Sequence, residues 1–389
     1  MFTRSFRLPE HSFFLFGPRG TGKTTWLRHV LPDALWFDLL RTQTFLALTR
    51  QPESFRQQVE AQRRNSWVVV DEVQRLPTLL NEVHALIAER GRAYQFALSG
   101  SSARKLKRMD VNLLAGRVIN RQFFPLTAAE LNYDVDPDRI LRFGLLPQIH
   151  AEPDFALDSL EAYAANYIRE EIQQEAIVRH LDSFSRFVEV AALMNGQVAN
   201  VAGLARDAVV ARPTVQGYFT VLVDTLIGTW LPAWRKRAKV KEVASPKFYL
   251  FDPGVVRALG GRLREPLDAA ERGFLLETWI LHELRAAMAS QDTGGQLHYW
   301  RTPSGSEVDF VWTRGAHAVG VEVKAATTWR REYGASLKAL IVQGTLQAGY
   351  GAYLGTAELK DGPLRIFPLR RFLKELASGQ VLVAGRRTG

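Results

Sequence analysis

Phe13-Phe14-Leu15-Phe16-Gly17-Pro18-Arg19-Gly20-Thr21-Gly22-Lys23-Thr24-Thr25 is an apolar run feeding a glycine-rich loop of the form G-x-x-x-x-G-K-[ST], and Trp26 to Leu31 can continue it as a helix. Glycines let consecutive backbone N–H groups curl around the phosphates of a nucleotide, and a lysine reaches the β and γ oxygens. Gly17, Pro18, Arg19, Gly20, Thr21, Gly22, Lys23, Thr24 and Thr25 therefore form a candidate phosphate cradle. Lys23 would sit on the phosphate oxygens and Thr24 would offer its hydroxyl to Mg²⁺. A helix starting there adds positive potential where phosphates would lie.

Working outward, Trp67-Val68-Val69-Val70-Asp71-Glu72 is a continuous apolar run ending in two carboxylates. Such a run suits a strand buried on both faces of a parallel sheet, and its carboxyl edge is where ligands of open α/β sheets collect. Asp71 then suits the Mg²⁺ shell, and Glu72 suits orienting and deprotonating an attacking water. The bland alternative is that both only cap the turn toward Leu76-Pro77. A further strand, Tyr94 to Leu98, ends in Ser99-Gly100-Ser101-Ser102, where Ser99 or Ser101 could sense a γ-phosphate and the residues do not choose between them. Arg117 could stabilise transition-state charge in its own subunit or a neighbour's, or form a structural ion pair.

The 389 residues suffice for several domains, and 47% apolar with 23% charged residues fits a globular protein. The chain has no cysteine, which excludes disulfides, cysteine-ligated zinc and thiol catalysis and is compatible with a cytoplasmic location. The eight histidines show no metal-ligand spacing, no secretory h-region is visible, and the longest uncharged stretch, Ala339 to Ala357, is interrupted by two glutamines and four glycines. No membrane span is expected. The net charge of +10 divides as +8 over 1–130, −2 over 131–260 and +4 over 261–389. Basic excess at both ends fits a polyanionic partner such as DNA, and equally the solubility charge of an arginine-rich chain.

After Phe124-Pro125-Leu126 the character changes. Gly144-Leu145-Leu146-Pro147 breaks the chain, and Leu157 to Met194 reads as mostly helical, suiting a helical lid. Val198 to Ala208 and Thr214 to Leu226 read as two amphipathic helices joined by Val209 to Pro213, the pattern of a helix-turn-helix. Thr214 and Gln216 would open a recognition helix. Arg235-Lys236-Arg237-Ala238-Lys239-Val240-Lys241, followed by the strand Lys247 to Phe251, completes a winged-helix pattern. Arg235, Lys236, Arg237, Lys239 and Lys241 would lie on phosphates. A protein-packing module with a solvated basic tip is the competing reading.

Residues 271–324 hold a third constellation. In Val319-Gly320-Val321-Glu322-Val323-Lys324 side chains alternate, so Glu322 and Lys324 share a face. With Asp309 from the neighbouring strand and Glu277 from the preceding helix, two or three carboxylates and an ammonium could converge as a Mg²⁺-dependent nuclease site. The competing reading is a hairpin with an ordinary Glu/Lys face.

Taken together, the loop, Val70-Asp71-Glu72-Val73-Gln74, Leu98 to Ser102, Leu114 to Arg117, Gly144 to Pro147, Phe248 to Gly254, Glu307 to Phe310 and Val321 to Lys324 resemble a bacterial and archaeal family of AAA-type P-loop ATPases. In that family the core is fused to a C-terminal domain of unknown function. The resemblance implies ATP and Mg²⁺ as ligands, the Walker A loop at 17–25 and the Walker B acids at Asp71 and Glu72. It also implies a C-terminal half like a winged helix plus a PD-(D/E)XK nuclease-like fold, whose active-site pattern falls on Asp309, Glu322 and Lys324.

The expected fold is thus α/β throughout its core: an ATPase core over 1–130, a helical lid over 131–185, a winged helix over 186–260, a nuclease-like domain over 261–380 and a tail over 381–389. The expected function is ATP hydrolysis coupled to moving or remodelling DNA, in a ring or other homo-oligomer by family analogy. A nucleotide-controlled nuclease and an ATP-dependent partner-recruitment module are the alternatives.

Overall fold

The computed structural model describes residues 2–102, 114, 116–174, 181–235, 243 and 245–383. Of the expected DNA contacts, Lys236, Arg237, Lys239 and Lys241 lie outside the described residues. The chain divides into two compact units, Phe6–Pro125 with Asp224–Ile227, and Met1–Ser5 with Leu126–Val223 and Gly228–Gly389.

In the N-terminal unit the order is β1 (Phe13–Phe16), α1 (Lys23–Val30), β2 (Leu35–Asp38), α2 (Thr42–Arg50), α3 (Glu53–Glu60), β3 (Ser66–Asp71), α4 (Leu79–Arg90), β4 (Tyr94–Gly100) and β5 (Ile119–Gln122). The strands form one sheet in the order β2-β3-β4-β1-β5, and every pairing is parallel. Both faces are covered, as the unbroken apolar runs require. Phe14, Val68, Val70, Phe96 and Leu98 pack with Phe55, Val59, Val83 and Leu86 on one side. Phe13, Leu15, Val69 and Ala97 pack with Trp26, Leu27 and Phe123 on the other.

This strand order sets the site. β4 lies between β1 and β3, so the residues ending β4 fall between the glycine loop and the acidic pair.

The C-terminal unit begins with α5 (Pro137–Phe143), α6 (Pro147–Ala151), α7 (Ala156–Gln174), α8 (Leu181–Leu193), α9 (Val201–Asp207) and α10 (Arg212–Asp224). The antiparallel hairpin β6 (Gly228–Leu231) and β7 (Lys247–Leu250) follows, then α11 (Pro253–Leu259) and the long α12 (Ala269–Gln291). Next come β8 (Gln296–Arg301), β9 (Glu307–Arg314), β10 (His317–Lys324), α13 (Ala335–Val342), β11 (Ala348–Tyr353), β12 (Leu359–Asp361), β13 (Leu364–Pro368) and α14 (Leu369–Ala377). Their sheet is mixed, in the order β12-β13-β11-β10-β9-β8. β8, β9 and β10 are antiparallel, and β10, β11 and β13 parallel.

The three regions expected over 131–380 lie together in one compact unit, and two buried links fasten parts of it to one another. Asp252 Oδ1 accepts from Val255 N (3.1 Å), capping α11, while Oδ2 accepts from Leu145 N (2.7 Å). Gly144 adopts φ 74° there, and a Cβ on it would strike the Asp252 carboxylate, just as one on Gly254 would strike the Phe143 carbonyl. The Gly144–Pro147 and Asp252–Gly254 motifs are thus two halves of one clamp. The second link fastens 126–128 to α12: Ala128 N donates to Glu283 Oε1 (2.8 Å) and His282 Nε2 donates to the Leu126 carbonyl (2.9 Å).

Burial pushes the Asp252 carboxyl up from 3.8 to about 6 against its backbone donors. Between those values the folded state holds the extra proton, so this group's contribution to stability falls as pH rises through the window. Asp252→Asn turns an amide nitrogen toward a backbone N–H and should cost about 1–3 kcal/mol at neutral pH. Denaturation of wild type and variant between pH 4 and 7 checks both effects, the variant lacking the wild type's decline.

Candidate functional site

β1 delivers the chain into the loop beside β4: Phe16 pairs with Gly100, and Gly17 N donates to the Gly100 carbonyl at 3.3 Å. A Cβ on Gly17 would lie 2.3 Å from the Phe123 carbonyl oxygen, so only glycine fits at this entry. Gly20 (φ 81°) and Gly22 (φ 89°) are left-handed, the conformation that curls a loop so that successive N–H groups face one concavity. Lys23 Nζ folds back onto the carbonyls of Gly17 (2.7 Å) and Pro18 (3.0 Å), and Thr21 Oγ1 donates to the Pro18 carbonyl (2.8 Å). Arg19 and Thr25 are exposed at the loop's rim.

Asp71 ends β3 and is buried. Thr24 Oγ1 donates to its Oδ2 at 2.8 Å, and Ser99 Oγ donates to its Oδ1. Burial raises the Asp71 pKa, with Glu72 and Asp38 adding to the rise, and the two hydroxyl donors oppose it. Asp38 closes the row, level with Asp71 in the β2–β3 register and bridged to Arg41 at 3.5 Å. Nothing in Leu35-Trp36-Phe37-Asp38 marks that carboxylate as a neighbour of Asp71, because the pairing is fixed by the sheet rather than by sequence distance.

Glu72 leaves the strand in the left-handed region (φ 58°), a costly conformation for a residue with a side chain. Its N–H donates to Ser99 Oγ (3.3 Å), and its Oε2 accepts from Ser101 Oγ (3.0 Å) and from Gln74 Nε2. Gln74 also donates to Ser101 Oγ at 3.0 Å. The two serines therefore take separate carboxylates, Ser99 on Asp71 and Ser101 on Glu72. Gln74 is not legible as a site residue in the sequence, since a glutamine two positions past an acidic pair has no signature of its own.

Arg117 is not brought to the loop. It precedes β5, whose first residue Ile119 is level with Phe13, the start of β1. A strand of four residues, about 13 Å, separates that edge from the loop, and Arg117 Nη1 meets His84 Nε2 on α4.

Thr24 and Asp71 supply the oxygen ligands that a Mg²⁺ ion keeps when phosphates complete its shell, so the residues present fit that ion. Thr24→Val preserves shape and removes the hydroxyl. It should leave nucleotide affinity in EDTA near wild type while removing most of the Mg²⁺-dependent gain, as read with a fluorescent ATP analogue. Equal tightening by Mg²⁺ in both proteins contradicts the assignment.

In the C-terminal unit the structure gathers Glu277, Asp309, Glu322 and Lys324. Val321 pairs with Phe310, setting Glu322 beside Asp309. Lys324 Nζ reaches Glu322 Oε1 (2.5 Å) and Asp309 Oδ2 (3.7 Å), and Val323 N donates to Asp309 Oδ2 (2.8 Å). Three further residues join from positions the sequence did not single out. Lys247 Nζ reaches Glu307 Oε1 (2.6 Å) and Glu277 Oε2 (3.5 Å), and the Tyr249 hydroxyl donates to Glu277 Oε2 (2.8 Å). Burial, then the Asp309 charge, raises Glu277 to about 7 and Glu322 well above the usual carboxylate range.

α9 and α10 take the positions of the expected helix pair. α10 buries Val215, Tyr218, Phe219, Val221 and Leu222, with Phe219 packed edge-on against Phe187 and Phe248. Its outer side carries Arg212, Gln216 and Thr220, all exposed, while Thr214 is half-buried. Arg235, after β6, is exposed.

Residues 10–132 match the AAA domain family, 136–266 a domain of unknown function (DUF8612) and 272–372 another domain of unknown function (DUF4143). Uncharacterized proteins of Mycobacterium bovis and Mycobacterium tuberculosis are each 28% identical over 326 residues, 81% of this chain and 70% of theirs. Among solved structures, a RuvB variant of Thermotoga maritima superposes with TM-score 0.30 at 15% identity, over 57% of this chain and 82% of its own. The Aeropyrum pernix ORC2 protein in its ADP form superposes with TM-score 0.32 at 11% identity, over 65% and 88%. Residues 10–132 carry a phosphate-binding loop on a parallel sheet and match the AAA domain family.

Proposed function

We propose that this protein hydrolyses ATP at the 17–25 loop and uses the turnover to move or remodel DNA held by its C-terminal unit. The observation that carries the hydrolytic half is the row of Thr24, Asp71, Ser99 and Glu72 along the carboxyl edge of three adjacent strands. Lys23 would exchange its loop carbonyls for phosphate oxygens. Thr24 and Asp71 would hold Mg²⁺, which supplies charge neutralisation on the transferring phosphoryl group. Glu72 would orient the attacking water and accept its proton, once its Oε2 parts from Ser101 and Gln74. Ser99, held between Asp71 Oδ1 and Glu72 N–H, keeps the two acids in fixed relation.

The DNA half rests on the outer side of α10, where Arg212, Gln216 and Thr220 are exposed, and on the positive charge of the chain. Read as a winged helix, the segment would lay α10 against the duplex, with Thr214, Gln216 and Arg235 as contacts and 236–241 on the phosphates. Assembly into a ring or other homo-oligomer belongs to the same proposal and rests on family resemblance. Among the described residues no helix is long and apolar enough to cross a membrane.

A second reading is favoured by one observation, the convergence of Glu277, Asp309, Glu322 and Lys324. In it ATP licenses a Mg²⁺-dependent nuclease in the C-terminal unit, and Asp309→Ala would abolish cleavage while sparing ATP turnover.

ATP turnover and binding measured with duplex, single-stranded and branched DNA test the first reading. Binding should weaken steeply between 50 and 200 mM salt, in keeping with phosphate contacts, and at least one DNA form should raise turnover. Arg212→Glu combined with Gln216→Glu should lower affinity about tenfold or more. If no DNA form binds at low salt or alters turnover, the reading fails.

A further inference from the structure

The acidic cluster of the C-terminal unit does not have the make-up of a vacant metal centre. Glu277, Glu307, Asp309 and Glu322 face two ammonium groups, and one of these comes from outside the nuclease-like sheet. Lys247 stands at the start of β7, in the hairpin that follows α10. Along that strand alternate residues face opposite ways: Phe248 packs with Phe219 and Trp230, while Lys247 and Tyr249 turn to the acids.

The Lys247 side chain is 4% exposed, with Nζ between Glu307 and Glu277 and 5.4 Å from the centre of the Tyr299 ring. Burial pulls its pKa down, and Glu277, Asp309 and Glu307 more than offset this, leaving it above the ordinary lysine value. The ammonium is held on three sides, by Glu307, Glu277 and the Tyr299 ring. Glu277 Oε2, an atom a divalent metal would use, already accepts from both Lys247 and Tyr249. Among the described residues, no group of three or more histidine or acidic side chains is arranged to hold a metal ion.

One atom does not fit a purely structural ion cluster. Glu322 is buried, and its Oε2 has no hydrogen-bond partner, which is costly for a carboxylate oxygen. Its other oxygen is taken by Lys324. The cluster thus has more carboxyl groups than ammoniums and one buried oxygen still open to a cation.

We propose that the cluster is a divalent-cation site whose resident cation is Lys247, so that Mg²⁺ or Mn²⁺ enters only when β7 withdraws that side chain. A divalent ion needs several carboxylate oxygens at 2.0–2.6 Å, and it cannot share Glu277 with an ammonium a few ångströms away, where like charges repel strongly. Occupancy by metal and by Lys247 is mutually exclusive. The metal competence of the nuclease-like sheet is then set by the position of the β6/β7 hairpin. The inference concerns the same residues as the nuclease reading, but it is decided by metal occupancy rather than by cleavage, so the two fail separately.

The test counts Mn²⁺ bound to the nucleotide-free full chain by electron paramagnetic resonance. Wild type and Asp309→Asn should bind Mn²⁺ alike, because the cluster is closed in both. Lys247→Met should gain one site at least tenfold tighter than any in wild type, lost again in Lys247→Met/Asp309→Asn, and Mn²⁺ should raise its unfolding temperature. An Asp309-dependent Mn²⁺ site in wild type overturns the proposal whether or not the Lys247 variant folds. A folded Lys247→Met protein that gains no Mn²⁺ also overturns it, whereas a variant that folds only with Mn²⁺ supports it.

Discussion

One buried carboxylate, Asp71 at the end of β3, joins α1 and β4 at the candidate nucleotide site. One oxygen takes the hydroxyl of Thr24 at the start of α1, and the other takes that of Ser99 near the end of β4. Without these donors a carboxylate so deeply placed would favour its neutral form, and the phosphate loop would lose its fixed negative neighbour. The contact exists because β4 is inserted between β1 and β3. A sheet with β1 directly beside β3 would leave no serine between the loop and the acids.

The C-terminal unit handles buried charge differently. In its cluster of Glu277, Glu307, Asp309 and Glu322 the acids are met by two lysines, and one of those lysines is borrowed from the hairpin after α10. Breaking a buried pair leaves an uncompensated charge, which costs more than the pair contributes. The hairpin is therefore tied both to the helices, through Phe248 and the aromatic cluster, and to the sheet, through Lys247 and Tyr249. A single short strand links two parts of the unit that the sequence presents as separate domains.

Local patterns exposed much of this in advance. The apolar run into Gly17–Thr25, the unbroken Val68-Val69-Val70 and the alternation of Val319 to Lys324 each follow from periodicity, and the gathering of Asp309, Glu322 and Lys324 follows from strand register. What the sequence hid is long-range. Gln74 and Ser101 clasp Glu72 across the β3–β4 junction, Asp252 reaches back over a hundred residues to Leu145, and Lys247 crosses from one supersecondary element to another. Arg117 shows the converse: standing just before β5, it lies at the end of the sheet away from its own chain's loop, because β5 runs parallel to β1.

If the carboxyl edge of β3 hydrolyses the nucleotide that the loop binds, turnover depends on Glu72. Phosphate release from ATP by wild type and by Glu72→Gln, with nucleotide binding measured on the same samples, tests it most directly. The variant should bind ATP like wild type and turn it over at least about 10²-fold more slowly, the loss expected for a positioned base. Turnover by Glu72→Gln at the wild-type rate would contradict it.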